Sequence, residues 1–351
     1  MTVRLAEGPS CPVPVVSESV QLGHGSGGKL SAALLRDRFL PHFQNEILDR
    51  LADGAVLDLG AGQVVVSTDT FVVSPLEFPG GNIGSLAVHG TLNDLAMMGG
   101  RPRYLTAGFV LEEGLPLDQL DRILASMARA ASEAGVLLVT GDTKVVERGK
   151  ADGLYLNTTG IGLLTPGFRP APDQARAGDV VLISGPIACH GMAIMAARES
   201  LAFEAEIQSD SASLVPLVDR LREEIGAEVH VLRDPTRGGV ASALTEIAQT
   251  SRVGITLTEA GLTIPAPVAA ACEMLGLDPL YVANEGVLLA VVGPAAAEPA
   301  LAVLQSHPLG RNATIAGTVV PSHPGLVVLR TRIGGTRVVD MLPGDQLPRI
   351  C

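Results

Sequence analysis

A chain of 351 residues, 47% of them hydrophobic and carrying a net charge of −12, has room for two domains of ordinary size. With no Lys/Arg-rich run it lacks the clustered cations of a nucleic-acid surface. Every apolar run is broken by Gly, Pro or charge well short of the roughly 18 residues a membrane span requires, and the opening "MTVRLAEGPSCPVP" lacks the layout of a secretory signal, so a soluble cytoplasmic protein is expected.

The first marked feature along the chain is "GHGSGGKL" at 23–30, where Gly23, Gly25, Gly27 and Gly28 cluster beside Lys29. Glycines let consecutive backbone N–H groups converge on one anion. The stretch matches G-x-x-x-x-G-K, but Leu30 stands where a P-loop has the Ser or Thr that reaches Mg2+. It also fits G-x-G-x-x-G, without the strand and βαβ unit that this motif needs. A flexible N-terminal turn explains it equally well. Next, "AVLDLGAGQVVVSTDTFVV" reads as a hairpin with Asp69 at a strand end. "GNIGSLAVHGTLNDLAMMGG" reads as a helix stopped by Gly99 and Gly100, and "YLTAGFVL" as a strand. "LDQLDRILASMARAASEAG" is an amphipathic helix closed by Gly135, before the strands "VLLVTG" and "LYLNTTGIGLL".

"TPGFRPAPDQARAGD", dense in Pro and Gly, marks the best domain boundary. Beyond it, strands are expected at "DVVLISG", "EVHVL", "GITLT", "GVLLAVV", "ATIAGTVV", "GLVVLR" and "TRVVD". Helices are expected near 191–199, 211–225 and 238–250, and at "APVAAACEML" and "AAAEPALAVLQ". Both halves are α+β, and no short repeat signals a solenoid. The four cysteines at 11, 189, 272 and 351 form no CxxC pair, so neither a zinc site nor a disulfide framework is indicated. Cys189 and Cys272 read as small buried hydrophobes, and Cys11 has no evident role. The ending "LPGDQLPRIC" is rich in Pro and Gly, which suits a stalk carrying the thiol of Cys351 away from the body.

Acids stand where packing does not want them. Asp69 in "VVVSTDT", Asn93-Asp94 in "GTLNDLAMM" and Asp142 in "LLVTGDTK" follow or interrupt apolar segments. Singly, each fits a cap or a turn. Convergence on Mg2+ would explain Asp69, Asp94 and Asp142 together, and hard oxygen ligands suit Mg2+ bridging ATP phosphates. Lys144, two residues beyond Asp142, shares its face if the strand continues. In "RDPTRGG", Arg237 is available to a phosphate at a helix start and Asp234 fits a cap. Glu285 in "YVANEGVLL" stands at the mouth of an apolar strand, where desolvation would raise its proton affinity.

The set "GHGSGGKL", "VVSTDT", "GTLNDLAMMGG", "TGDTKVV", "RDPTRGG", "ANEG" and terminal "PRIC" resembles the HypE family of hydrogenase maturation factors. These are carbamoyl dehydratases within the superfamily of aminoimidazole ribonucleotide synthetase and selenophosphate synthetase. The resemblance runs from Gly23 to Cys351. It implies an arm (1–42) with the Gly-rich loop closing over phosphates, and an ATP-binding domain (43–165) whose sheet pairs into the barrel of a homodimer. An α+β domain (170–338) and a flexible tail (339–351) follow.

The resemblance further implies ATP and Mg2+ held through Gly23, Gly25, Gly27, Gly28, Lys29, Asp69, Asn93, Asp94, Asp142 and Thr143, with Asp69, Asp94 and Asp142 as metal positions. Lys144 and Glu285 match residues of the dehydration, and Cys351 the carrier thiol. A carbamoyl group from HypF, held on Cys351 as a thiocarbamate, would become a thiocyanate. Its cyanide would pass to the HypC–HypD scaffold of the [NiFe]-hydrogenase iron centre. Selenophosphate synthesis is the near alternative, but it needs a reactive Cys or selenocysteine in a loop that here carries His24 and Ser26. A nucleotide-binding adaptor without turnover is the alternative from another class.

Overall fold

The structure is a computed structural model that describes residues 18–21, 24, 33–45, 60, 62–199, 207–341, 347 and 349–351. The glycines of the Gly-rich loop, Lys29, Cys11 and the first strand of the expected hairpin lie outside the described residues.

The first sheet is built from β1 (Val64–Phe71), β2 (Gly100–Glu112), β3 (Leu137–Val146) and β4 (Leu154–Leu164), in the spatial order β1-β4-β2-β3. Only β2 and β3 run parallel, linked by the crossover helix α2 (Leu117–Glu133). Alternation along β2 and β4 buries one face under α2 and α1 (Ile83–Met97). The other face stays open, with Val64 and Val66 exposed on it. Asn82 starts α1 with a capping box, accepting from the N–H groups of Gly84 and Ser85 while Ser85 answers the Asn82 N–H. A Cβ on Gly84 would stand 2.4 Å from the Ile123 carbonyl oxygen, so that glycine sets how closely α1 lies on α2.

The second sheet contains β5 (Val180–Ile183), β6 (Val229–Arg233), β7 (Gly254–Thr258), β8 (Leu289–Val292), β9 (Thr314–Val320), β10 (Val327–Arg330) and β11 (Thr336–Val339). Their order is β11-β10-β7-β9-β5-β8-β6, antiparallel throughout except for the parallel pair β10 and β7. Its central strands are buried on both faces. Val181, Ile183, Leu289 and Val291 pack under α5 (Gly239–Ser251), while Leu182, Ala290 and Val292 pack under α4 (Val215–Glu224) and α7 (Ala297–Gln305). These strands therefore read as continuous apolar runs, not alternating ones.

The helix expected over 211–225 begins only at Val215, with Pro216 in its first turn, and the backbone before it is tied down by a side chain of α1. Asn93 donates to the Ala212 carbonyl at 3.0 Å and accepts from the Leu214 N–H at 2.7 Å. Two further helices, α3 (Cys189–Arg198) and α6 (Ala266–Leu275), pack on the core of the first sheet.

The expectation of a free terminal stalk needs correction for this state of the molecule. Ile350 is buried in that same core, and the Val72 and Ser74 N–H groups donate to the carbonyls of Cys351 and Arg349 at 3.1 and 3.3 Å. Prolines stop a tail from forming regular structure, but they do not stop its carbonyls from finding donors on another surface.

Candidate active site

The docked tail brings Cys351 to the end of β1, the middle of α1 and the loop leading into α5. There it lines a cavity of about 110 Å3 with Asp69, Asp94, Asp234, Arg237 and Glu285. That volume suits a carbamoyl-sized group and not a whole nucleotide. Gly90 forms part of the wall. A Cβ there would meet the Phe71 ring at 2.9 Å, so a bare helix turn is what lets Phe71 pack against α1, and Glu285 stands within ordinary contact of that turn.

Four carboxyl groups in one small cavity are costly, and burial raises them all. Glu285 is pushed well above the carboxylate range by desolvation, reinforced by Asp234, Asp210, Asp69 and Asp94. Its Oε1 has no hydrogen-bond partner among the described residues. Asp234 is raised to about 7 by desolvation and then by the charge of Asp94. Burial also raises Asp94, against the 2.7 Å hydrogen bond donated by the Ser67 hydroxyl. Asp69 is raised by burial, against the Thr70 N–H and the positive charge of Arg237. Arg237 donates to Cys351 Sγ at 3.5 Å, yet burial, with Glu285 beside it, still pushes the thiol up to about 12. The seated sulfur is therefore a thiol and not a thiolate.

Among the described residues no three His, Cys, Asp or Glu side chains form a ready-made metal cage. The donors nevertheless fit Mg2+. They are hard carboxylate oxygens, Glu285 Oε1 is unpartnered, and Arg237 alone among the lining residues is cationic against four carboxyl groups. Mg2+ is usually held by one or two carboxylates, with water and phosphate completing the octahedron.

The expected convergence of Asp69, Asp94 and Asp142 does not occur within one chain. The register aligns Asp69 with Thr158, Ala107 and Gly141, and Thr70 with Asn157, Gly108 and Asp142. Asp142 is thus one residue out of step with Asp69 and lies on the opposite, open face of the sheet. Strand β3 does continue through Lys144, which pairs with Asp142 at 2.9 Å, both exposed, and Lys144 holds that carboxyl below its usual range. Thr143, between them, donates its N–H to Asp142.

Asn93 is buried, and its amide is used on protein backbone at Ala212, Glu285 and Leu214, so it fixes loops and does not face the cavity. Asp234, read from sequence as a cap, is instead buried in the cavity wall. The following Gly238 and Gly239 at positive φ turn the chain into α5 and leave Arg237 beside the sulfur. His190 and Asp210 carried no sequence signal, since each stands alone beside small or apolar neighbours.

Residues 51–164 match the N-terminal domain and residues 176–329 the C-terminal domain of the AIR synthase related proteins. The chain is 54% identical to the carbamoyl dehydratase HypE of Azotobacter vinelandii over 333 residues, spanning 95% of this chain and 97% of the relative. The chain belongs to the HypE family. A crystal structure of a HypE in complex with ATP matches its fold with a TM-score of 0.91 at 50% identity, covering 94% of this chain and 99% of that one. A HypE–HypF complex matches with a TM-score of 0.78 at 47% identity, over 88% of this chain and 100% of that one. Likeness to the thiamine-monophosphate kinase of Stenotrophomonas maltophilia, at 22% identity and a TM-score of 0.62, shows that the HypE family shares its fold with enzymes of other names.

Proposed function

We propose that this protein is an ATP-dependent carbamoyl dehydratase that converts a thiocarbamate on Cys351 into a thiocyanate. The observation that carries the reading is the terminal sulfur seated in a carboxylate-lined cavity beside Arg237 and Glu285, in a chain of the HypE family. The overall change is R–S–CO–NH2 + ATP → R–S–C≡N + ADP + phosphate. The C–O bond breaks, its oxygen leaves with the phosphate, and both nitrogen protons are released.

Mg-ATP would supply the phosphoryl group that makes the carbamoyl oxygen a leaving group, and Asp69, Asp94 and Asp234, which line the cavity, would hold the Mg2+. Glu285 is the nitrogen-proton acceptor once a bound cation offsets the carboxylates around it, and desolvation makes the ionised carboxylate a strong base. Arg237 orients the sulfur, and the cavity walls exclude water. Asp142 and Lys144 belong in this reading to the nucleotide side of the site, on the sheet face that a homodimer would cover, with Thr143 between them contributing through its backbone. Gly23, Gly25, Gly27, Gly28 and Lys29 are in this reading residues that bind the phosphates.

The tail leaves the cavity to receive carbamoyl from HypF, a reading supported by the HypE–HypF complex of relatives. It leaves again to present cyanide to a HypC–HypD iron scaffold in the cytoplasm. Among the described residues no helix is long and apolar enough to cross a membrane.

Mass spectrometry of the C-terminal peptide after incubation with a HypF, carbamoyl phosphate, ATP and Mg2+ tests this reading. The expected products are a carbamoyl adduct on Cys351 and then its loss of one water. Cys351→Ala should carry neither while still binding nucleotide by calorimetry. A carbamoyl adduct that persists unchanged with ATP present would leave the protein a nucleotide-binding adaptor.

A further inference from the structure

The chemistry proposed above uses the last residue, but it gives no role to a buried histidine outside the cavity that touches the residue before it. His190, near the start of α3, is fully buried with both ring nitrogens engaged. One, Nδ1, lies 2.8 Å from the Ser209 hydroxyl, and the other, Nε2, lies 3.0 Å from the Ile350 carbonyl oxygen. A carbonyl only accepts, so Nε2 carries the proton and Nδ1 accepts from Ser209. Phe78 stands edge-on to the ring at 5.6 Å and fixes its plane. Eight residues on, Arg198 donates to the Arg349 carbonyl at 2.7 Å and, with two nitrogens, to the Ser74 carbonyl at 3.0 and 2.8 Å. Three successive tail carbonyls are thus each received by a donor of the body, counting the Val72 N–H on Cys351.

From this arrangement we propose that His190, oriented by Ser209 and seconded by Arg198, is a latch that grips the tail by its backbone and sets how far Cys351 reaches into the cavity. These donors meet main-chain atoms, so they act alike whether the sulfur is free, carbamoylated or cyanated. Apart from the burial of Leu347 and Ile350 and the Arg349 side chain on Asp152 and the Val72 carbonyl, the latch reads position and not side chain. Only a few hydrogen bonds hold it, which suits a tail that must also leave.

The segment that orients His190 also seats the group across the cavity. Asp210, next to Ser209, accepts the N–H groups of Glu285 and Gly286 at 3.3 Å each. One dipeptide therefore sets both the anchor of the sulfur and the place of the carboxyl that would act on its substituent. His190 is a positioning residue and touches no reacting atom.

The inference rests on the dehydratase reading for its purpose, but its test does not. In full-length protein without ATP or carbamoyl donor, iodoacetamide alkylation of each cysteine is followed by peptide mass spectrometry at a single pH. Buried Cys272 reports general loosening of the fold. Cys351 is half-buried and its thiol is pushed up to about 12 by burial, so it reacts faster from the undocked population than from the docked one. His190→Ala should therefore speed alkylation of Cys351 by about fivefold or more, the equivalent of one lost hydrogen bond, and leave Cys272 unchanged.

His190→Gln, which keeps a donor at the place of Nε2, should return the rate to near the wild-type value. If His190→Ala does not fold, Arg198→Gln is read in the same way. An unchanged rate at Cys351 in a folded variant, or equal acceleration at Cys351 and Cys272, overturns the latch. Loss of water from a carbamoylated tail plays no part in this readout, so failure of the dehydratase reading would be seen separately.

Discussion

Asp234 concentrates the electrostatic conflict of the cavity in one side chain. Its carboxyl is raised from the usual 3.8 to about 7 because it is desolvated and faces Asp94. A group whose proton is bound more tightly in the folded than in the unfolded chain contributes stability that is full below its unfolded pKa. That contribution is lost as the pH rises through the folded value. The ligand-free protein should therefore lose stability between about pH 4 and pH 7 from this residue, and Glu285, raised for the same reason, acts in the same direction. Asp234→Asn removes the charge and keeps the shape, so its gain in melting temperature should be larger at pH 8 than at pH 5 when measured in a chelating buffer. An equal change at the two pH values would mean that Asp234 is not held protonated by the fold. The sequence did not mark this residue for such a role, because an acid before Pro and Thr ahead of a helix reads first as a cap.

At the scale of elements, α1 is joined to the second half of the chain through Asn93. Its side chain makes three hydrogen bonds to the loops carrying Ala212, Leu214 and Glu285, all in the interior. Asn93→Ala leaves one N–H and two carbonyls without their partner and opens a small void. The expected loss is about 3 kcal/mol in urea unfolding, with a shift of the midpoint at constant slope. A stability loss under 1 kcal/mol, on the order expected for a surface substitution, would favour a nucleotide-facing role instead.

The elements themselves were largely readable from the chain, because burial writes its period into apolar residues. The amphipathic stretch 117–133 and the apolar runs of β5 and β8 announced a half-buried helix and fully buried strands. What pattern alone cannot carry is relation. Asp69 and Asp142 both end or interrupt apolar strands, and nothing local tells that their register puts them on opposite faces. The tail shows the same limit. Its prolines exclude regular structure, whereas the docking of its carbonyls depends on His190, Arg198, Val72 and Ser74, all far away in the chain.

For the whole molecule, the unresolved matter of surface is the open face of the first sheet. Val64 and Val66 project from it, with Val66 62% exposed, beside a polar row in which Asn157 and Thr159 hydrogen-bond to Thr70 and Thr68. Valines that stand in water on one face of a strand whose other face packs a core are the pattern of a sheet made to be covered. The homodimer proposed for this chain would cover them and would also bring Asp142 and Lys144 out of bulk solvent. Val66→Glu places a charge in the middle of that contact without touching the core. By light scattering coupled to size exclusion, the wild type should be dimeric and the variant monomeric, with little change in circular dichroism. If pairing also completes the nucleotide site, the monomeric variant should lose ATP affinity by calorimetry, although no residue of the acid cavity has been altered. A variant that stays dimeric, or a wild type that is monomeric at micromolar concentration, would show that this face meets something other than a second copy of the chain.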